Sequence, residues 1–185
     1  MKLLLHICCA PCSIMCIETL RGEGIEPVGF WDNPNIHPFT EFRMRRNTLV
    51  DYAKEIGLSL VVEGGYGLRP FLEAVGGDFD GRCPVCYRLR MRSAARYAAE
   101  NGFTHFTTTL LISPYQNHEL LAQTAREAAQ EFGVSFLYRD FRPSFREGQD
   151  RARAMGLYMQ KYCGCIFSEE DRYRKRKKPP KKEEA

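Results

Sequence analysis

Residues 2–12, Lys2-Leu3-Leu4-Leu5-His6-Ile7-Cys8-Cys9-Ala10-Pro11-Cys12, decide the fold and already point to the chemistry. The apolar run at residues 2–7 has the length of a buried strand, and it leads directly into thiols and a proline. A helix is predicted next, over residues 13–21, and Gly22 and Gly24 end it. A buried strand that is followed at once by a helix is typical of a parallel α/β sheet.

The same alternation continues along the chain. We predict strands at residues 2–7, 26–32, 59–63, 105–111 and 135–138. We predict helices at residues 13–21, 41–56, 68–74, 86–101 and 117–132. Strands that alternate with helices of this length indicate βαβ units, so the predicted fold class is α/β with a doubly wound parallel sheet.

The length and composition indicate one globular domain. The chain has 185 residues, of which 44% are hydrophobic, and this excludes a fully disordered protein. No apolar segment is long enough to span a bilayer, and the apolar run after Met1 is too short for a signal peptide. We therefore expect a cytoplasmic protein with no membrane partner.

The charge is concentrated at the end of the chain. The whole sequence carries 27 basic and 23 acidic residues, and residues 171–185 alone carry eight basic and three acidic ones. We therefore expect a single α/β domain over residues 1–170 and a disordered basic tail over residues 171–185. The tail either contacts the phosphates of a nucleic acid or is simply solvated, and the sequence leaves both open.

The eight cysteines decide the class of site. They are clustered: Cys8, Cys9, Cys12, Cys16, Cys83, Cys86, Cys163 and Cys165. In a reducing compartment, such close spacing indicates metal ligation or thiol redox chemistry. Cys16 lies one helical turn after Cys12, and we interpret it as a buried structural cysteine.

The spacing within each cysteine group suggests its use. Cys83-Pro-Val-Cys86 at the start of a helix can chelate one metal centre, and zinc, iron–sulfur and thioredoxin-like sites all use this motif. The adjacent pair Cys8-Cys9 suits two irons of a cluster better than one zinc ion. Together the two pairs supply the four thiols that a 4Fe–4S cluster usually needs. Cys163-Gly-Cys165 then fits a redox-active dithiol, while a zinc site that uses Cys83, Cys86 and this pair stays open.

Three polar loops are expected to meet at one edge of the sheet. Residues 8–12, 33–38 and 113–118 each follow a predicted strand, and ligands of doubly wound sheets bind beyond the carboxyl ends of the strands. The candidate substrate residues in the second and third loops are Asn33, Asn35, His37, Tyr115, Asn117 and His118. Each of them could instead cap a helix or a turn.

Four blocks of sequence together point to one family. They are Leu5-His6-Ile7-Cys8-Cys9-Ala10-Pro11-Cys12, Asn33-Pro34-Asn35-Ile36-His37-Pro38, Arg82-Cys83-Pro84-Val85-Cys86-Tyr87-Arg88-Leu89-Arg90 with residues 107–119, and Tyr162-Cys163-Gly164-Cys165. In these blocks the chain resembles the epoxyqueuosine reductases of the QueH type, from residue 4 to about residue 168. The resemblance implies a Rossmann-like fold akin to the adenine-nucleotide alpha-hydrolases (HUP fold).

The resemblance also implies an activity and a set of site residues. It implies the reduction of epoxyqueuosine in tRNA to queuosine, without cobalamin, with tRNA as partner and an electron donor that the sequence does not identify. A 4Fe–4S cluster would be held by Cys8, Cys9, Cys83 and Cys86, and Cys163 and Cys165 would form a redox-active disulfide. A second, mononuclear iron is also implied, with Cys12 as a candidate ligand.

The chemistry leaves one choice open, and two rival functions remain. Removal of the epoxide oxygen consumes two electrons and two protons, whereas one cluster passes single electrons, so either a second iron or the dithiol must assist. The rivals are a zinc-stabilised tRNA-binding module and an adenylating tRNA-modifying enzyme on the same fold. The adenylating enzyme would need a Gly/Ser-rich phosphate loop where residues 8–12 stand.

Overall fold

The computed structural model describes residues 1–174, which form one five-stranded sheet and the helices around it. The strands are β1 (Leu3–His6), β2 (Val28–Trp31), β3 (Leu60–Val62), β4 (His105–Thr108) and β5 (Ser135–Phe136). The helices are α1 (Ala10–Gly22), α2 (Phe39–Glu55), α3 (Leu68–Val75), α4 (Arg82–Glu100), α5 (His118–Phe132), α6 (Phe145–Ala154) and α7 (Ile166–Tyr173). The predicted α/β class is confirmed.

The sheet is parallel throughout and is doubly wound. Its strand order is β3-β2-β1-β4-β5, with Leu5 of β1 opposite Gly29 of β2 on one side and Thr107 of β4 on the other. The chain therefore runs outward from β1 in one direction and then returns to build the other half from β4. The reversal between β1 and β4 creates a crevice at their carboxyl ends, where such folds bind ligands.

The core explains why these segments form strands. All four residues of β1 are buried, as expected for a central parallel strand that helices cover on both faces. Helix α1 packs against α2 and α6, whereas α4 packs against α3 and α5. A Cβ atom on Gly29 of β2 would lie 2.9 Å from Leu60 Cδ1, so the side chains that pack on β2 would have to shift to accept a larger residue.

Three predicted boundaries were wrong, and all of them affect the site. Helix α1 begins at Ala10, three residues before its predicted start, so Cys12 lies in its first turn and not in the predicted loop. The strand predicted to residue 111 ends at Thr108, whose hydroxyl accepts a hydrogen bond from the Leu110 amide and begins a 3-10 turn at Thr109–Ile112. Helix α4 begins at Arg82, four residues before its predicted start, so Cys83 and Cys86 both lie in its first turn. Helices α6 and α7 were not predicted.

The end of the chain is described only in part. Helix α7 includes Asp171 and ends at Tyr173, so the first residues of the predicted tail are helical. Residues 175–185 lie outside the described residues, and the tail stays a prediction. Within residues 1–174, no helix has both the length and the apolar character that crossing a membrane requires.

Candidate functional site

The loop between β1 and α1, together with the first turn of α1, brings three thiols close to one another. Cys9 is the N-cap of α1, and Pro11 occupies the first turn, where its fixed φ suits the start of a helix. The Sγ atoms of Cys8, Cys9 and Cys12 lie within 4.8 Å of one another and are buried. Within residues 1–174, a group of three or more potential ligand side chains lies this close together only here. Such a group could hold a metal ion.

The three thiols differ in their acidity. Cys8 Sγ lies 3.8 Å from Cys9 Sγ and accepts a hydrogen bond from the Thr109 hydroxyl at 3.5 Å. Hydrogen bonds from Cys12 and Cys9 hold the pKa of Cys8 well below that of an ordinary thiol. Burial raises the pKa of Cys9, and the hydrogen bond to Cys8 raises the pKa of Cys12. Cys8 is therefore the most acidic thiol of the three.

The other four cysteines that we predicted to be functional lie together in a second region. Cys83 and Cys86 come from the first turn of α4, and Cys163 and Cys165 come from the segment before α7. All four line a cavity of about 300 Å³, which we call the cysteine cavity. Cys86 and Cys165 also belong to a small apolar cluster with Phe71. Among the sequence-based alternatives, the zinc site that was left open is the one that groups these same four cysteines.

A larger cavity of about 680 Å³, which we call the outer cavity, adjoins the cysteine cavity. It reaches Cys8 and Cys12 on one side, and its basic lining residues are Arg45, Arg153, Lys161 and Arg172. Tyr115, Gln116 and Cys163 line both cavities. The Gln116 amide donates a hydrogen bond to Cys163 Sγ at 3.3 Å, so this thiol is held at the junction of the two spaces.

Arg90 provides a buried positive charge among the thiols. Its side chain lines the cysteine cavity at 2% exposure, and Nη2 donates to Cys86 Sγ at 3.2 Å. Its electrostatic neighbours include the Cys86, Cys163 and Cys8 thiols, and within residues 1–174 no carboxylate forms an ion pair with it. Burial raises the pKa of Cys86 to about 12, while Arg90 opposes that rise. Burial therefore outweighs Arg90 for the thiol alone, while Arg90 lowers the cost of forming a thiolate beside it.

Unpartnered polar atoms also point into this region. Asn35 lines the cysteine cavity at 1% exposure, and both atoms of its amide lack a hydrogen-bond partner within the described chain. The same is true of Arg90 Nε and of Gln160 Oε1, whereas Gln160 Nε2 donates to Cys9 Sγ at 2.9 Å. Each buried unsatisfied group costs about 1–3 kcal/mol. Thiols, a buried cation and unused donors together fit an anionic metal group held by thiolates.

Besides Asn35, two of the predicted substrate residues face solvent or a cavity. Tyr115 is 84% exposed and touches both cavities, with its ring against Phe145. Asn117 lines the cysteine cavity, but its side-chain oxygen also accepts from the Leu120 amide and caps α5. A role in substrate contact therefore stays a prediction for both, with Tyr115 the more accessible of the two.

The other predicted substrate side chains have contacts within the protein. The Asn33 amide donates to the Ile7 carbonyl at 2.9 Å. His37 is buried, which lowers its pKa to about 4, and its Nδ1 accepts from the Ile166 amide at 3.2 Å. His118 Nε2 lies 3.0 Å from the Tyr138 hydroxyl. These three residues do not line either cavity.

Arg90, Arg45 and Gln160 are site residues that the sequence interpretation missed. A signal existed for Arg90, because it follows Cys86 by four residues on one helix and must share its face. Arg45 and Gln160 have no comparable signal, since their partners among the cysteine-bearing segments are more than one hundred residues away.

Comparisons with known proteins agree on one family. The family model described as "Epoxyqueuosine reductase QueH" matches residues 3–171. The protein of that name from Dehalococcoides mccartyi is 36% identical over 178 residues, which cover 96% of this chain and 98% of the relative. The protein of that name from Histophilus somni is 33% identical and covers 92% of this chain and 73% of the relative. The protein of that name from Thermotoga maritima is 32% identical, and the match covers 89% of this chain and 88% of the relative.

Proposed function

This chain belongs to the epoxyqueuosine reductase QueH family, and we propose that it reduces epoxyqueuosine in tRNA to queuosine with a thiolate-held 4Fe–4S cluster and a redox-active cysteine pair. The oxidoreductase activity and the place in queuosine synthesis follow from the family. The cluster, its ligands and the cysteine pair are our proposals, as is action on tRNA in the cytoplasm. The electron donor is left unassigned.

One observation carries the metal assignment. Arg90 is a buried cation whose nearby groups include thiols from three separate segments, those of Cys8, Cys86 and Cys163. A buried cation is stabilised by anionic groups close to it, and thiolates at these positions would supply that negative charge. We propose Cys8, Cys9, Cys83 and Cys86 as the cluster ligands, and Asn35 and Arg90 as donors to its sulfurs.

When bound, such a cluster supplies one-electron transfer at the end of the two cavities. The chain's own residues then have separate tasks. Arg90 offsets the negative charge of the thiolates, and the Gln160 amide holds the sulfurs of Cys9 and Cys12 by hydrogen bonds at 2.9 and 3.3 Å. Cys12 is left as the candidate ligand of a second iron, because its thiol is close to Cys8 and Cys9 but is not needed for four-fold ligation.

The cysteine pair can supply the complete electron balance. Oxidation of the Cys163 and Cys165 thiols to a disulfide releases two electrons and two protons. The epoxide takes up two electrons and two protons, its two C–O bonds break, and an alkene and water form. One dithiol therefore converts one epoxide, and Cys163 lies at the junction where it faces both cavities.

The outer cavity is the proposed substrate site. Its volume of about 680 Å³ is in the range of cavities that hold nucleoside-sized ligands. Lys161 and Arg172 line it and can contact phosphates of the anticodon loop, and exposed Tyr115 can stack on a base. The modified base would then enter toward Cys163 from the solvent side.

The proposal is tested by single turnover under anaerobic conditions. Iron-loaded enzyme is reduced, freed of reductant and mixed with tRNA that carries epoxyqueuosine, and nucleosides are quantified by mass spectrometry. Cys83→Ser should lose iron, sulfide and activity, whereas Cys165→Ser should keep iron and lose the conversion. Cys16→Ala is the matched control, because Cys16 is buried in α1 and lines neither cavity.

Two results would contradict parts of the proposal. If Cys83→Ser keeps full iron and sulfide, Cys83 is not a cluster ligand. If Cys165→Ser loses iron in step with activity, the pair ligates metal and does not store electrons.

A further inference from the structure

The segment that carries the proposed redox pair is fixed by its backbone. Residues 162–165, which we call the Cys-Gly-Cys segment, lie between α6 and α7 and outside regular structure. Two of its carbonyl groups are held by one side chain from α2. Arg45 Nη1 donates to the Cys163 carbonyl at 2.8 Å, and Nη2 donates to the Tyr162 carbonyl at 2.9 Å.

The guanidinium of Arg45 is itself fixed in orientation. It is 2% exposed, and its Nε donates to Glu41 Oε1 at 2.6 Å. The second oxygen of Glu41 accepts a hydrogen bond from the Tyr158 hydroxyl. Because a guanidinium is planar, fixing Nε on one side determines where the two Nη groups point on the other.

A third carbonyl group of the Cys-Gly-Cys segment also accepts a hydrogen bond from outside the segment. The His37 amide donates to the Gly164 carbonyl at 2.8 Å, so the carbonyls of residues 162, 163 and 164 all bind donors from elsewhere in the chain. Gly164 has φ of +154°, and a Cβ atom on it would lie 3.5 Å from Arg45 Nη1 and 3.3 Å from Ile36 Cγ1. The segment therefore lies tightly on α2 and the loop before it.

We propose that Arg45, oriented by Glu41, is a positioning residue for the Cys163/Cys165 pair. Its fork of two hydrogen bonds keeps Cys163 beside Gln116 at the junction of the cavities and keeps Cys165 buried against Ser168. The inference rests on the proposed redox role of the pair. A lysine at position 45 would keep the charge but could not hold both carbonyls and Glu41 together.

The test measures exposure of Cys165, which is 7% exposed in this structure. Reduced, iron-loaded wild type, Arg45→Lys and Arg45→Met are treated with iodoacetamide, and each cysteine is followed by peptide mass spectrometry. Alkylation of Cys165 should accelerate by about tenfold or more in both variants, since release of the segment opens it locally. Alkylation of buried Cys16 should not change. Arg46→Lys is the matched control, because Arg46 is half-buried, its guanidinium hydrogen-bonds to Asn47 and it lies 5.8 Å from the centre of the Phe42 ring.

The same samples give iron content and single-turnover kinetics. The rate of epoxide conversion should fall in both Arg45 variants while the KM for tRNA and the iron content hold. Unchanged alkylation of Cys165 would overturn the proposal. So would wild-type behaviour of Arg45→Lys together with loss in Arg45→Met, because the charge and not the fork would then matter.

A third variant covers general unfolding. If Cys16 and Cys165 both become reactive in the Arg45 variants, the variants are unfolded as a whole and do not test the proposal. Glu41→Gln then tests it, since this variant keeps Arg45 but weakens its orientation. A smaller rise for Cys165 alone supports the proposal, and no rise refutes it. Failure of the redox role is read separately, from iron loss in Cys165→Ser.

Discussion

Replacement of Asn35 by leucine should stabilise the metal-free protein and weaken its binding of the metal group. Neither atom of the Asn35 amide has a hydrogen-bond partner within residues 1–174, although the side chain is 1% exposed. Leucine has a similar volume and removes a desolvation cost of about 1–3 kcal/mol without breaking a hydrogen bond of the protein. For a chain of this size, about 2 kcal/mol corresponds to a rise of roughly 4–8 °C in Tm.

Asn33→Leu is the matched control, and it should be less stable than Asn35→Leu. Asn33 is equally buried and lies two residues away on the same loop, but its amide donates to the Ile7 carbonyl at 2.9 Å. Its replacement loses that hydrogen bond and leaves a buried acceptor without this donor. Asn33 Oδ1 has no hydrogen-bond partner within residues 1–174, so this variant also removes one unsatisfied atom, and we expect it to be less stable than Asn35→Leu by about 1 kcal/mol or more.

The assay is urea unfolding, followed by circular dichroism under anaerobic conditions, before and after loading with iron and sulfide. Binding of a group to the folded state raises stability, so the gain on loading reports affinity. The gain should be smaller in Asn35→Leu than in wild type. The reasoning fails if metal-free Asn35→Leu is destabilised as much as Asn33→Leu, or if its gain on loading equals that of wild type.

Two further predictions concern tRNA. Tyr115→Ala should raise the KM for tRNA by roughly 5- to 150-fold, the equivalent of one lost stacking contact, and should leave the iron content unchanged. Tyr115→Phe should stay close to wild type, and equal effects of both variants would exclude stacking. Truncation after Arg174 removes six basic residues. The slope of log affinity for tRNA against log salt concentration should become shallower by roughly 0.7–0.9 per lost phosphate contact, as measured by titration at several salt concentrations. An unchanged slope would mean that the tail serves solubility only.

The fold could be predicted because its signals are local. The run at residues 2–7 is apolar on both faces, which is how a central parallel strand must look, and the structure has β1 there. The start of α4 was missed because Pro84 looks like a helix breaker. A proline in the first turn lacks only an amide that has no helical partner, so the helix can begin at Arg82.

The site could be predicted only in part, because only some of its contacts have signals that are local in the sequence. The topology brings the loop after β1 to the ligand edge, and the three thiols there were all candidates. The approach of Cys163 and Cys165 to Cys83 and Cys86 depends on how a segment without regular structure lies on α2. No period or spacing encodes that contact.

Two arginines at the same depth show which part of the site is structural and which part is prepared for a ligand. Arg45 and Arg90 are each 2% exposed. Arg45 binds a carboxylate and two carbonyls, so its charge is compensated whatever the site contains. Arg90 donates to a thiol through Nη2 and has an unused Nε within residues 1–174, so anionic sulfur around it would compensate its charge. The cost of burying Arg90 is thus tied to loading of the site, and metal binding should be coupled to the stability of this end of the sheet.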